Sequence, residues 1–248
     1  MDLRAEVYNE KQLLQALSNT YIEKVYVPYQ MINQNYSDFS EKIVIVPPVF
    51  LGDCEEKIKQ TFFELKKTGF NNALAHSTAH IELFSDMGLR IFGGYRLNCA
   101  NSESALFFSE MGVEDIIVSP ELTFTQINNL KCDRFGFIAY GYLPLMITRR
   151  CPVNNGKPCN NGECCHKTIV DRKGRKLNVI CTENTVEILN SDVLYLADKL
   201  NSVKNNAFAV LKFTVEHDVN EIIDSYVHKL PFNETNYTRG LYFRGIKE

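Results

Sequence analysis

Eight short apolar segments, separated by amphipathic ones, predict an α/β chain whose parallel strands close into a TIM-barrel-like (β/α)8 domain. Three observations carry this expectation. Most of the segments are apolar throughout, as strands covered on both faces are. Candidate helices end in Gly69, Gly88 and Gly112, where a residue in the left-handed conformation stops a helix. The length, 248 residues, is that of one such barrel. An open doubly wound sheet is the alternative. No G-x-G-x-x-G follows the first strand, which weakens a dinucleotide-binding version of it.

The elements follow in order. A strand at 3–7 precedes the helix NEKQLLQALSN. KVYVPY (24–29) is a second strand and KIVIVPP (42–48) a third. The helix EEKIKQTFFELKKTG leads to a short strand at 72–76 and a helix at 78–88. A strand at 89–97 precedes the helix SESALFFSEMG, and a strand at 115–119 precedes a helix around FTQINNL. The seventh strand spans 134–141. A helix near 192–200, an eighth strand at 207–214 and a helix at 219–229 complete the pattern. The chain reads as one domain, 1–248, with a cysteine-rich insertion at about 149–190 after the seventh strand. An insertion of this length is functional or disordered.

Hydrophobic residues make up 45% and charged residues 23%, as in an ordinary globular protein. A net charge of -3 provides no global attraction to nucleic acid or anionic lipid, although a local basic patch stays open. MDLRAEVYNEKQL lacks a basic region followed by an apolar stretch, and no apolar run approaches the roughly 18 residues that span a bilayer. The expectation is a cytoplasmic protein without a membrane partner. In a reducing compartment, clustered cysteines are ligands or redox groups rather than disulfides.

The insertion holds Cys151, Cys159, Cys164, Cys165 and Cys181, spaced C-x7-C-x4-C-C-x15-C. Asn, Gly, Pro and Lys fill the gaps and bury poorly. Thiolates on a metal are the simplest tie for such a loop. The expected ligands are Cys151, Cys159, Cys165 and Cys181. Cys164 competes with Cys165, because the side chains of adjacent cysteines diverge. Four thiolates suit a closed zinc site or a [4Fe–4S] cluster. The lack of a C-x2-C pair fits neither zinc-ribbon nor ferredoxin spacing, and reduced thiols in a loose loop are the other reading. His166, beside Cys165, is a further candidate ligand. Cys54, Cys99 and Cys132 fall on the barrel and read as small core hydrophobes.

A barrel of this kind carries its chemistry at the C-terminal strand ends. Those ends hold Glu6, Tyr29, His76, Asn98, Asn101, Ser119, Glu121, Tyr140 and Glu216. The insertion leaves the seventh strand on that face, as a lid or wall of any pocket. Glu121 is a candidate acid/base carboxylate. In the competing reading Ser119 caps the next helix and Glu121 meets its dipole. Tyr140 is a second candidate. Arg149 and Arg150 can clamp an anionic substrate or neutralise thiolate charge, and Arg239 is another candidate clamp. His76 and His80 are four apart but lack the H-E-x-x-H glutamate, and read as a surface pair. No G-x-S-x-G and no cysteine–histidine arrangement marks a peptidase nucleophile.

YGYLPLMITRRCP resembles a segment of the U32 peptidase family, collagenase-like peptidases of unknown catalytic type. RLNCANSESALFFSEMGVEDIIVSPEL, VDRKGRKLNVIC with ILNS, and YTRGLYFRG resemble further blocks of that family in the same order. These run from about residue 98 onward. The first 90 residues match more weakly, through RAEVYNEKQLLQAL. The resemblance implies a TIM-barrel-like domain with a cysteine-bound metal centre. Some relatives are named proteases. Others support hydroxylation of transfer RNA, ribosomal RNA or a quinone precursor with an iron–sulfur cluster, though they space their cysteines differently. The resemblance therefore implies an enzyme, or enzyme component, of RNA or small-aromatic hydroxylation, with a [4Fe–4S] cluster ahead of zinc. The alternatives are a collagenase-like peptidase and a zinc-stapled module that binds RNA or a protein. The implied partners are RNA or a small anionic substrate, and an N-terminal family barrel such as longer relatives carry.

Overall fold

Strands buried on both faces need apolar side chains on both, and the chain supplies them in order. The first seven are β1 (Asp2–Glu6), β2 (Ile22–Pro28), β3 (Ile43–Val46), β4 (Asn72–Ala75), β5 (Arg90–Gly93), β6 (Val113–Ile117) and β7 (Phe135–Gly141). The insertion adds β8 (Pro144–Thr148), β9 (Lys167–Val170), β10 (Lys176–Thr182) and β11 (Thr185–Leu189). Then come β12 (Val193–Tyr195), β13 (Ala207–Lys212) and the two-residue β14 (Tyr237–Thr238). The helices are α1 (Glu10–Ser18), α2 (Glu55–Lys67), α3 (Thr78–Asp86), α4 (Ser102–Glu110), α5 (Phe124–Asn129) and α6 (Asn220–Val227). The structure is a computed structural model and describes residues 1–153, 167–182, 185–204, 206–232 and 235–245, without the side chains of Asp53 and Lys167.

β1 to β7 pair in parallel, each with the next, and β13 closes the ring between β7 and β1. Ala209 pairs with Leu3 on one side and with Phe137 on the other. This is the (β/α)8 barrel that the sequence predicts. Most strands are followed by a helix that docks on the barrel through residues such as Leu13, Ile58, Phe62, Phe84, Ile127 and Ile223, all buried. Removing each such side chain from water contributes about 1.5–3 kcal/mol. Caps start four of the helices: Asn9, Ser77, Asn101 and Thr123 each accept a backbone N–H from three residues on. The predicted stops hold as well, with φ of +98°, +63° and +86° at Gly69, Gly88 and Gly112. β2 and β3 are joined by two 3-10 turns, Tyr29–Met31 and Gln34–Phe39.

Two expectations need correction. The helix near 192–200 is instead β12 followed by a 3-10 helix, Ala197–Ser202. The run Val193–Tyr195 is short, apolar and aromatic, and it pairs antiparallel with the end of β7. The insertion, read as a loop, holds a four-stranded antiparallel sheet in the order β8-β11-β10-β9. That sheet has its own small core: Cys151, Val179 and Val186, with Val153, Ile169 and Cys181 packed against it. Apolar contacts therefore help to hold a segment that composition alone assigned to metal binding.

Candidate functional site at the barrel mouth

Side chains at the C-terminal strand ends enclose a cavity of about 240 Å³. β1 brings Glu6 and, just beyond it, Tyr8. The ends of β2 and β3 bring Pro28 and residues 46–49. His76 follows β4, while Tyr95 and Arg96 follow β5. The inserted sheet closes the remaining side with Cys181 and Thr182 of β10 and Glu187 of β11.

Two buried ion pairs organise this cavity. Lys212, fully buried at the end of β13, donates from Nζ to Glu6 Oε1 at 2.6 Å and to the Tyr8 hydroxyl. Tyr8 donates to the same Glu6 oxygen at 2.9 Å. Arg96 Nη2 donates to Glu187 Oε1 at 2.6 Å and so fastens the inserted sheet to the barrel. Glu187 Oε2 is buried and has no hydrogen-bond partner among the described residues. Burial, with Glu6 and Glu187 nearby, pushes the Tyr8 phenol well above its ordinary value and keeps it protonated. Burial, together with Arg96, His80 and Lys212, holds His76 well below its ordinary value, so its ring is neutral at pH 7. The arrangement can orient a substrate and pass protons between a phenol, an imidazole and two carboxylates.

The end of β13, beneath Glu6 and Tyr8, requires a glycine on the neighbouring strand. Gly141 has φ +121°, and a Cβ there would lie 2.2 Å from the Lys212 carbonyl oxygen. Only glycine tolerates both conditions, so β7 can approach the Lys212 backbone closely.

Of the strand-end residues expected from the sequence, Glu6 and His76 line the cavity. Tyr140 stands apart from it. Its hydroxyl donates to Glu216 Oε1 at 3.2 Å, and its ring packs against Tyr195, Phe213 and Tyr226. Glu121 is exposed. Ser119 Oγ accepts the Glu121 N–H at 3.4 Å, but α5 is capped by Thr123, so the expected cap serves only the turn before the helix. Asn98 ends a 3-10 turn at φ +51°, and Asn101 caps α4. Arg149 is exposed with its guanidinium 5.8 Å from the Phe50 ring centroid, and Arg150 is exposed. Arg239 donates to the Tyr195 carbonyl at 2.9 Å and forks onto both oxygens of Asp198. The histidine pair is not on the surface. His80 is fully buried, its Nδ1 accepts the His76 N–H at 3.3 Å, and its ring stacks on Phe84. Tyr8, Tyr95, Arg96, Lys212 and Glu187 were not anticipated.

Of the expected metal ligands, Cys151 and Cys181 share the small core of the inserted sheet, and Cys181 also lines the cavity. Cys159, Cys164, Cys165 and His166 lie outside the described residues. Among the described residues no three His, Cys, Asp or Glu side chains are grouped to hold a metal ion. Cys99 is buried, and Cys54 and Cys132 partly so, all packed on the barrel core as expected. Among the described residues no helix is long and apolar enough to cross a membrane.

Comparison with known proteins supports the resemblance. "Uncharacterized protease MJ0090" of Methanocaldococcus jannaschii is 25% identical, over 68% of this chain and 50% of its own length. The chain thus spans about half of that relative. No solved structure matches it. The family model of Peptidase family U32 matches residues 33–228. The match reaches well into the N-terminal third and ends before the YTRGLYFRG segment. With more than half of its length matched, the chain belongs to Peptidase family U32.

Proposed function

We propose that the barrel-mouth cavity is the active site of an enzyme that modifies RNA or a small aromatic molecule, with a cysteine-held metal centre in the cavity wall. The observation that carries this reading is the placement of Cys181. It lines the cavity while sharing a small core with Cys151. Cys159 and Cys165, or Cys164 in place of Cys165, would complete a four-thiol set, and such a donor set suits an iron–sulfur cluster or zinc. The family resemblance favours a [4Fe–4S] cluster, which supplies one-electron chemistry when bound. The residues of this chain do the rest. Pro28, Met31, Pro47 and Pro48 give the cavity an apolar wall. Tyr8 is held at the cavity by donating to Glu6 and accepting from Lys212, and Arg96 orients Glu187. Exposed Arg149 over Phe50 is a combination that suits the phosphates and bases of RNA. A second family barrel, as in longer relatives, is the proposed partner.

A second reading is a collagenase-like peptidase. The M. jannaschii relative is named a protease, and Glu6 and Glu187 place two carboxylates in one cavity. Metal, sulfide and turnover measurements on anaerobically prepared protein separate the two. Iron and sulfide in comparable amounts, absorbance near about 400 nm, and their loss in Cys151→Ser and Cys181→Ser support the cluster enzyme. Bound zinc without iron overturns the cluster. Gelatin cleavage that survives both cysteine changes establishes the peptidase instead.

A further inference from the structure

We propose that the barrel-mouth cavity selects a small, flat, uncharged group bearing an amide edge, whose N–H donates to Glu187. The inference rests on the cavity being the substrate site and names the class of substrate it takes.

The first argument is charge. Glu6 with Lys212 and Glu187 with Arg96 form two pairs, each at 2.6 Å; both carboxylates and Lys212 are buried and Arg96 is partly buried. Their charges cancel. His76 adds none, since burial and its cationic neighbours keep it neutral. An anion entering here would lose its water beside two carboxylates and meet no cation that is not already paired. A second cation would gain little from Glu187, which Arg96 already neutralises, and would be repelled by Arg96 itself. The arginines that could serve an anion lie elsewhere: Arg239 is held by Asp198 and Arg149 stands over Phe50. An uncharged ligand is what remains.

The second argument is the acceptor. Glu187 is 3% exposed, and Arg96 takes Oε1. Oε2 has no partner among the described residues, although the side chain lines the cavity. A buried carboxylate oxygen without a donor is destabilising, and a ligand N–H placed there recovers that loss. The third argument is shape. Pro28, Pro47, Pro48 and Tyr95 form rigid apolar walls, which favour a ring over a flexible chain.

Calorimetric titration of the full chain with benzamide, benzoate and benzamidine decides the matter, because these differ in charge and hardly in shape. The expected result is benzamide binding roughly tenfold tighter than either ion. N-acetylglycinamide, an amide without a ring, should bind more weakly than benzamide. Glu187→Gln leaves Arg96 unpaired and should turn the preference to benzoate. Arg96→Gln should turn it to benzamidine. Benzoate preferred by the unmodified protein, or no probe bound at all, overturns the proposal. A ranking unchanged in both folded variants overturns it too. If a variant does not fold, the ranking in the unmodified protein decides alone. The metal readout above is independent. A protein with the cluster but an anion preference retains the functional reading and loses this one, and a metal-free protein that prefers benzamide does the reverse.

Discussion

Arg4 of β1 and Asp115 of β6 meet inside the barrel in a two-pronged ion pair, Nη1 to Oδ1 at 2.9 Å and Nη2 to Oδ2 at 2.7 Å. The guanidinium also donates to the Tyr26 hydroxyl and to Glu23, and it lies 3.6 Å from the Phe208 ring centroid. Arg134 joins Glu23 and Asp2 beside it, at the start of the strands. Buried charge is thus concentrated at both ends of the barrel. The network around Arg4 ties strands together, while the pairs at the opposite end place Glu6, Arg96 and Glu187 in the wall of a cavity.

Asp115→Ala should therefore destabilise strongly, because it leaves Arg4, 1% exposed, with half-buried Glu23 as its remaining carboxylate partner. A loss of about 3–5 kcal/mol is expected in urea denaturation, with cavity binding in the folded fraction unchanged. The double change Arg4→Met, Asp115→Leu should recover part of it, since it removes the buried cation and carboxylate while Glu23 keeps Arg134 and only the Tyr26 hydroxyl loses its donor. A loss below about 1 kcal/mol for the single change would remove the network from the account of stability.

Gly141→Ala tests the closure of the barrel beside the cavity. The positive φ and the approach to the Lys212 carbonyl act together, and a backbone oxygen cannot swing aside as a side chain can. At least about 2 kcal/mol of destabilisation is expected. Lys212 should also shift against Glu6 and Tyr8, weakening benzamide binding by more than the loss of stability explains. A variant as stable as the parent would mean that β7 and β13 are less tightly apposed than described.

Most of the barrel was legible in the sequence for a simple reason. Segments such as Ile43–Val46 and Phe135–Gly141 are apolar on both faces, which a half-exposed strand cannot be. The inserted sheet was hidden by the polar residues between its strands, although Asp171-Arg172-Lys173-Gly174 is a turn signal: Asp171 Oδ1 accepts the N–H of Lys173 and of Arg175. Half of the site was hidden differently. Lys212 meets Glu6 across 206 positions of sequence, and Arg96 meets Glu187 across 91, so no local motif joins them. The available signal was a lone charge within an apolar strand, Lys212 in AFAVLK and Glu187 in TVEIL. Such a charge must be paired if the strand is buried, and the pair marks where the fold meets itself.

Acidification should destabilise the fold through the buried histidines. Burial lowers His80 to about 4, from an ordinary 6.5. Between those values the unfolded chain binds a proton that the folded chain refuses, so stability falls as pH falls. His80 alone contributes up to about 3 kcal/mol to this loss, and His76 acts in the same direction. The urea midpoint should drop from about pH 7 to about pH 4.5, and His80→Gln should flatten the slope. Asp198, held low by Arg239 and Lys199 against the effect of burial, gives up its contribution only below its ordinary 3.8, outside this window, so the difference between the two proteins isolates the histidine. Parallel slopes would exclude His80 as a source.

Arg239 should prove to be a clamp on this chain's own C-terminal segment. Its fork on Asp198 and its bond to the Tyr195 carbonyl hold β14 beside β12. Arg239→Lys keeps the charge but loses the fork, so about 1–2 kcal/mol of stability should go. Limited proteolysis should then cut sooner in residues 235–245. Binding of benzamide at the cavity should not change. A selective loss of ligand binding with normal stability would return Arg239 to the role of substrate clamp.

The ion pair between Arg96 and Glu187 decides whether the cysteine-bearing sheet and the barrel act as one unit. Glu187 sits on β11, directly opposite Ile180 and one step from the pair of Cys181 with Val186. Cys181 and Val186 point to the other face of the sheet, into its small core, so whatever holds Glu187 to the barrel fixes the strand pair on which Cys181 sits. Arg96→Ala leaves a buried carboxylate without its partner, and about 3–5 kcal/mol should be lost locally. Because the β8–β11 sheet has only a small core of its own, that loss should appear as faster hydrogen exchange in β10 and β11 while β1 to β7 keep their protection. Iron and sulfide content, where a cluster is present, should fall in the same variant, and Arg96→Met with Glu187→Leu should restore the exchange protection but not benzamide binding. Uniform acceleration across barrel and sheet would mean that the pair supports global stability instead, and the cavity wall would then be set by the backbone of β10 alone.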